Sequence, residues 1–324
     1  MKISVLGAGA YGIALANTFC FNDNKVVIWT KFQNEYNGLL KHRENIDTLP
    51  GVKLDEKIEI SMNMQTAILD AKVVVLAVPM LAVRSISREL SRYITDEQII
   101  CIVSKGIEQN TNLFMDEVVK DEIETSKICM LSGPSFAKEL ASGNEIGLVI
   151  ASKDVESQMT LKIALENENI SVKITNDIKG VQVAASAKNV FAILMGIINQ
   201  CNKSESTKAA LLANLSNDLR IMIAILGGRS DTIFSYAGIG DFLLTCMSEK
   251  SRNFAFGKCI GEGLNIDEAL EKLGTSTVEG LYTLDSLYKL LKEKEVEIGS
   301  INLLYDIVYK GEKVEKVLKR TSRR

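Results

Sequence analysis

A single histidine, His42, and three prolines, Pro50, Pro79 and Pro134, are all that this 324-residue chain has of those two residue types. One imidazole in a polar stretch excludes a Ser–His–Asp triad and any histidine-built metal cluster. It leaves a histidine proton donor only if His42 reaches the ligand. Cysteine pairs with C-x-x-C spacing are missing: Cys20, Cys101, Cys129, Cys201, Cys246 and Cys259 stand apart, and Cys101 and Cys129 fall in strand-like runs. They read as thiols of a reducing compartment, not as disulfides or metal ligands. An excess of one charge is also lacking. With 38 basic and 41 acidic residues the net is −3, which offers no basic field for nucleic acid. The terminal Lys319, Arg320, Arg323 and Arg324 read as a solvated tail. No apolar run approaches the ~18 residues of a membrane span, and the longest, 191–198, suits a buried helix. The N-terminus opens directly on strand residues, without the cleavable apolar region of a signal peptide.

What is present starts at the first residue. Residues 1–6 form a short apolar run, then come Gly7-Ala-Gly9-Ala10-Tyr11-Gly12, then a helix-compatible stretch at 13–20. That is the strand–turn–helix in which G-x-G-x-x-G carries a mechanism. Gly7 permits the tight turn, Gly9 lets backbone approach a pyrophosphate, and Gly12 lets helix pack close on strand. The helix N-terminus adds N–H donors and the positive end of its dipole. Such a motif alone is weak; following a strand, it points to a dinucleotide site.

Further strands are expected at 25–29, 57–61, 72–78, 98–103, 127–131, 146–151 and 171–174, several of them near-continuous Val/Ile/Leu runs of the kind buried in parallel sheets. Helical patterns at 81–93, 113–123 and 155–166 separate many of them, while 34–55, with Asn34, Asn37, Gly38 and Pro50-Gly51, reads as loop with little helix. The alternation predicts a doubly wound α/β domain over 1–178. From 179 to 324 the pattern turns to long amphipathic stretches (178–200, 207–226, 251–261, 267–273, 280–294, 300–310), predicting an all-helical second domain. An NAD-selective site would end its second strand on Asp or Glu. Here the strand ends Trp29-Thr30-Lys31 and the next carboxylate is Glu35. Lys31 would tolerate a 2′-phosphate; an ordinary loop lysine is equally consistent.

Ligands of open α/β sheets bind beyond the carboxyl ends of the strands. Three such ends carry notable residues: Pro79, Ser104-Lys105-Gly106, and Ser132-Gly133-Pro134-Ser135, where Pro134 suits a helix start and Ser135 could hold an anion or cap the helix. Lys188 is sharper. At helical spacing its face includes Val181, Ala184, Ala185, Phe191, Ala192 and Met195, so its amine must snorkel, pair or open into a cavity. Burial would lower its pKa toward neutrality, as suits a general acid or base. Helix geometry alone favours the snorkelling reading. Asp241 follows Gly238-Ile-Gly240, and Ser251-Arg252-Asn253 offers three donors for a phosphate or, more plainly, a helix start with a surface arginine. Thr277 and Glu279 lie between helices with nothing intrinsic to mark them. Two Tyr-x-x-x-Lys matches, Tyr288/Lys292 and Tyr309/Lys313, lie in the helical part and look accidental. By elimination, a lysine is left as proton carrier.

Over essentially its full length the chain resembles the bacterial NAD(P)-dependent glycerol-3-phosphate dehydrogenase family. The residues that carry the likeness are Gly7-Ala-Gly-Ala-Tyr-Gly12, Ser104-Lys105-Gly106, Ser132-Gly-Pro-Ser-Phe-Ala-Lys-Glu-Leu140, Ala187-Lys188-Asn189, Ala237-Gly-Ile-Gly-Asp241, Ser251-Arg-Asn253 and Val278-Glu279-Gly280. The resemblance implies a Rossmann-like doubly wound sheet followed by an all-α domain, as in 6-phosphogluconate dehydrogenase. It implies reduction of dihydroxyacetone phosphate to sn-glycerol 3-phosphate for phospholipid synthesis, with NADPH or NADH, in the cytoplasm. A homodimer is the candidate assembly, and no nucleic acid, membrane span or metal is expected. By position Lys188 resembles the proton-transferring lysine, with Lys105 and Asp241 as catalytic partners. Gly133, Ser135, Ser251, Arg252 and Asn253, with Lys105, Lys188 and Asp241, match substrate positions. Gly7, Gly9, Ala10, Tyr11, Gly12, Lys31, Pro79, Lys105, Ala137, Arg252, Thr277 and Glu279 match cofactor positions. The chain departs from the family pattern at Ala10, in the 199–206 loop, at Lys208 and Ala213-Asn214, and at Thr277. Two rival readings stand: a β-hydroxyacid or 2-ketoacid reductase of the same architecture, and a catalytically silent dinucleotide-binding sensor.

Overall fold

Short β-branched runs in the first half fold as the strands of one sheet in a computed structural model that describes residues 1–125, 127–201, 204–275 and 277–314. The strands are β1 (Lys2–Leu6), β2 (Lys25–Trp29), β3 (Glu59–Ser61), β4 (Val73–Leu76), β5 (Ile99–Ile102), β6 (Ile128–Ser132), β7 (Ile146–Ser152) and β8 (Ile170–Thr175), in the order β3-β2-β1-β4-β5-β6-β7-β8. Every residue of β4 and β5 is buried, which is why both read as unbroken apolar runs and not as alternating ones. β1 to β6 pair in parallel, but β7 runs antiparallel to β6 and parallel to β8. The sheet is thus mostly parallel, with one antiparallel pairing. Only a five-residue helix lies between β6 and β7; it returns roughly 7.5 Å, about half the length of the strand it follows.

Seven helices belong to this α/β unit among the described residues: α1 (Ala10–Phe21), α2 (Gln33–His42), α3 (Met64–Ile68), α4 (Val83–Leu90), α5 (Met115–Glu122), α6 (Ala137–Ala141) and α7 (Val155–Leu165). Residues 34–55 were expected as loop, yet α2 occupies their start. Asn34, Asn37 and Gly38 are weak helix formers, and Leu39 is the one buried residue of α2, so no apolar stripe announces it. Its start is held instead by Thr30, whose hydroxyl accepts from Phe32 N–H and donates to the Glu35 carboxylate. Pro134 is a second correction. It lies in the turn before α6, whose N-cap is Phe136, and Ser135 makes no cap hydrogen bond.

The remaining helices are α8 (Ile178–Cys201), α9 (Glu205–Ile225), α10 (Asp241–Met247), α11 (Arg252–Gly261), α12 (Ile266–Lys272), α13 (Glu279–Glu293) and α14 (Gly299–Lys310). The expected loop at 199–206 is therefore mostly helix; 202 and 203 lie outside the described residues, as does the basic tail. Packing divides the chain into two units, 1–104 with 115–178 and 105–114 with 179–324. Lys105–Phe114, assigned to the α/β half by sequence, thus belongs with the helices. Ile107 and Phe114 pair in a short bridge and both enter the helical core.

Helix α8 runs through that core. Its 18-residue window has a mean hydropathy of 1.6, enough by length and composition to cross a membrane, and is 100 % buried inside the protein. No uninterrupted apolar run in it approaches ~18 residues: Gln182, Ser186, Lys188 and Asn189 break the runs, while the apolar residues around them keep the mean high. Core helix is the reading its burial supports. It packs backbone to backbone on α11, where a Cβ on Gly257 would stand 2.0 Å from the Ile193 carbonyl oxygen. Gly257→Ala is expected to cost about 3 kcal/mol by overpacking and to lower the thermal midpoint by roughly 6–12 °C. An unchanged melting curve would mean the helices can part there at no cost.

Candidate active site

In the α/β unit the glycine motif has the geometry its spacing foretold. Gly7 has φ +117°, and a Cβ there would meet the Ala77 carbonyl oxygen at 2.4 Å; one on Gly12 would meet the Gly7 oxygen at 2.0 Å. Over Gly9 nothing of the protein lies within 4 Å. Gly9 is the N-cap of α1, with no side-chain cap and no acidic residue in the first turn, so an anion is the natural partner of those amides. Ala10 and Tyr11 open the helix. The Tyr11 hydroxyl lies 2.8 Å from Ser135 Oγ, which also donates to Gly133 O at 3.2 Å. Lys31 is exposed at the end of β2. Through Thr30 the structure brings Glu35 back to the same strand end, so a charge of each sign stands there. Pro79 is exposed and starts a single turn of 3-10 helix (Met80–Ala82). The loop is tied to β5 by Ser104 Oγ donating to Val78 O at 2.5 Å. Ala137 is the first residue of α6.

The helical unit gathers the charged residues. Lys188 lies midway along α8 with Val181, Ala184, Ala185, Phe191, Ala192 and Met195, all buried. Its Nζ donates to Asp241 Oδ1 at 2.5 Å, and Lys105 Nζ donates to Asp241 Oδ2 at 2.9 Å. Side-chain exposures of 8 %, 17 % and 2 % for Lys188, Lys105 and Asp241 dispose of the snorkelling reading: the amine is buried and paired. Asp241 reaches it as the first residue of α10, after a kinked π-turn (Tyr236–Gly240) that Ser235 caps through the Gly238 N–H.

Burial lowers the Lys188 pKa, the Asp241 charge partly restores it and the Lys105 charge lowers it again, leaving it at about 8. Burial alone would raise the Asp241 carboxyl, but Lys105 and Lys188 outweigh it and hold the group below its ordinary value. Glu279 goes the other way: burial raises it, and Arg252, Lys105 and Lys188 recover only part. One ionised carboxylate between two ammonium groups is an incompletely neutralised buried cluster, and it favours an oxyanion beside it.

Ser251, Arg252 and Asn253 form the start of α11. Ser251 Oγ accepts the cap bond from Phe254 N–H at 3.3 Å, and Asn253 Oδ1 accepts from Gly280 N–H at 2.8 Å. The Ser251 O–H, the exposed Arg252 and the Asn253 amino group retain donor capacity. Two residues that the sequence gives no role of their own bear on the cluster. Asn189 Nδ2 lies 3.5 Å from Glu279 Oε2, and Thr245 Oγ1 donates to Asp241 O at 2.7 Å. Only adjacency to Lys188, and the i+4 spacing from Asp241, could have flagged them. Thr277 and His42 are exposed. All six cysteines are thiols outside any disulfide; Cys201 is exposed and the others are buried. Among the described residues no cluster of His, Cys, Asp or Glu could hold a metal.

A glycine-loop α/β unit and a helical unit with a buried, paired lysine define the class of two-domain dinucleotide-dependent dehydrogenases. Residues 2–158 match the family described as NAD-dependent glycerol-3-phosphate dehydrogenase N-terminus, and 177–319 match its C-terminus. The chain belongs to this NAD-dependent glycerol-3-phosphate dehydrogenase family. It is 34 % identical to glycerol-3-phosphate dehydrogenase (NAD(P)+) of Bacillus licheniformis over 97 % of this chain and 92 % of that one. With the same enzyme of Fusobacterium nucleatum it shares 33 %, over 96 % and 93 %. The crystal structure of glycerol-3-phosphate dehydrogenase from Coxiella burnetii superposes with a TM-score of 0.93 at 25 % identity, covering 100 % of this chain and 99 % of that one. A D-mandelate dehydrogenase shares the fold alone, at a TM-score of 0.61 and 12 % identity over 98 % and 100 %.

Proposed function

We propose that the protein catalyses the reversible reduction of dihydroxyacetone phosphate to sn-glycerol 3-phosphate with NADPH or NADH. The observation that carries this reading is the Lys188–Asp241–Lys105 cluster. It puts an amine with a pKa of about 8 in a buried, electropositive setting within a chain of this family. The first-turn amides of α1 and the open face of Gly9 would hold the dinucleotide, which supplies a hydride to the ketone carbon when bound. As that carbon gains the hydride, the carbonyl π pair moves to oxygen. Lys188 Nζ gives its proton to that oxygen; in the reverse direction the neutral amine takes it back. Asp241 holds both ammonium groups in place, and Lys105 adds positive charge against the developing oxyanion. Arg252 and the Asn253 amino group would grip the phosphate, so that binding far from the carbon orients it. Free thiols, five of the six buried, support a cytoplasmic location, where cysteines stay reduced.

Mixing the protein with NADPH and candidate ketones tests the reading. Nicotinamide absorbance should fall with dihydroxyacetone phosphate and stay level with unphosphorylated dihydroxyacetone. Equal rates with both would remove the phosphate grip; turnover of 2-ketoacids instead would favour the rival reductase. Cofactor binding without any turnover would favour the sensor.

A further inference from the structure

β8 ends the sheet, with no strand beyond it among the described residues. Just ahead of it the Asn169 carbonyl accepts from Ile146 N–H at 2.8 Å, toward β7. Successive residues of a strand turn their backbone groups to opposite sides. Ser171 and Lys173 therefore serve the β7 pairing, while Ile170, Val172 and Ile174 face the free edge. Such a row of N–H and C=O groups is a template for another strand. Here much of it is already occupied. Asn167 takes the N–H and the carbonyl of Ile170, at 3.2 Å each. Val172 N–H donates to the Glu166 carboxylate at 3.2 Å, and Lys162 Nζ donates to Val172 O at 3.2 Å. The two side chains also pair with each other at 3.3 Å. An ordinary i,i+4 pair stabilises only its own helix. This one, from the last turn of α7 and its C-cap, grips the middle of a strand edge. The opposite edge is short and also gripped: β3 has three residues, and Arg43 Nη2 donates to the Ile58 carbonyl ahead of it at 2.8 Å.

The sequence of β8 does not itself oppose pairing with a copy. Laid antiparallel about Val172, Ile170 would stand opposite the copy's Ile174 and Val172 opposite the copy's Val172, all β-branched apolar pairs. On the other face Lys173, the one charge of the strand, would stand opposite serine, so no like charges meet. Val155 and Met159 share a helix face with Lys162 and Glu166 by their spacing. They are 66 % and 42 % exposed, and Ile174 is 43 % exposed, so apolar surface flanks the edge. We propose that β8 is a self-pairing surface for a second copy of this chain, and that Lys162 and Glu166 hold it shut by occupying Val172. This inference is independent of the reaction proposed above.

Lys162→Ala combined with Glu166→Ala frees both Val172 groups. Light scattering of the full chain should then show a mass that rises with concentration to about twice that of wild type, one further two-fold contact. Adding Ile174→Pro removes an outward N–H that the β7 pairing does not use, and should return the mass to the wild-type value. An unchanged mass in the double variant overturns the proposal. So does a raised mass that survives Ile174→Pro, which would put the contact on exposed side chains and not on the strand edge. A wild-type mass that itself falls on Ile174→Pro would show the edge already open, and overturns the clasp. Lys162 and Glu166 are 31 % and 42 % exposed and lie outside both cores, so the double variant should fold. Should its melting curve show otherwise, Lys162→Ala alone frees Val172 O and carries the same outcomes.

Discussion

Lys188→Met should bind the dinucleotide as wild type does and lose turnover by about 10²- to 10⁴-fold, the usual contribution of a positioned proton donor. Methionine keeps most of the side-chain volume on the packed face of α8, so the loss would report chemistry and not a collapsed core. Asp241 keeps a partner in this variant, because Lys105 holds its other oxygen at 2.9 Å. Stopped-flow turnover beside a cofactor titration separates the two effects. A near-normal kcat would transfer the proton donor's role to another group, with Lys105 first in line.

Asp241→Asn attacks the same cluster from its centre. The amide is isosteric but uncharged, and it leaves two ammonium groups buried without their counter-charge. Breaking a buried pair in this way costs about 3–5 kcal/mol, visible as a lower thermal midpoint. Asp241 is also the charge that raises the Lys188 pKa against burial, so without it that pKa falls below about 8. Reduction needs the ammonium form, so kcat for reduction in wild type should decline as pH rises through about 8. In Asp241→Asn the decline should begin at lower pH. The stability sign is the same way round. A lysine with a folded pKa below its unfolded value binds fewer protons folded than unfolded in that interval, so stability rises with pH across it. The variant's lysine starts to lose its proton at lower pH, so its deficit should narrow as pH rises toward about 8 and stay level above it. An unchanged melting curve together with an unmoved kinetic limb would show that Asp241 is not the counter-ion of Lys188.

Much of this site was legible before any coordinates, and for local reasons. Gly7, Gly9 and Gly12 are spaced by the backbone needs of one turn, and Lys188 stands out because a lysine amid alanines and phenylalanine breaks an apolar face. The start of α11 was legible in residue type; only the fold shows the Ser251 oxygen accepting its cap bond and the Asn253 oxygen accepting from the Gly280 N–H. Helix α2 was missed because its support comes from Thr30 and from Leu39 burial, not from a stripe of its own.

The chain by itself determined the strand–glycine loop–helix opening, the change to helices after 178 and the presence of one anomalous lysine. Each is written in neighbours a few residues apart, through turn geometry and hydrophobic period. Tertiary structure alone decided that Asp241, 53 residues from Lys188, is its partner. It also decided that Lys105–Phe114 packs with the helices, that β7 reverses, and that Tyr11 meets Ser135. These are contacts between distant segments, set by how buried surfaces close on one another, and no periodicity along a chain records which segments will meet.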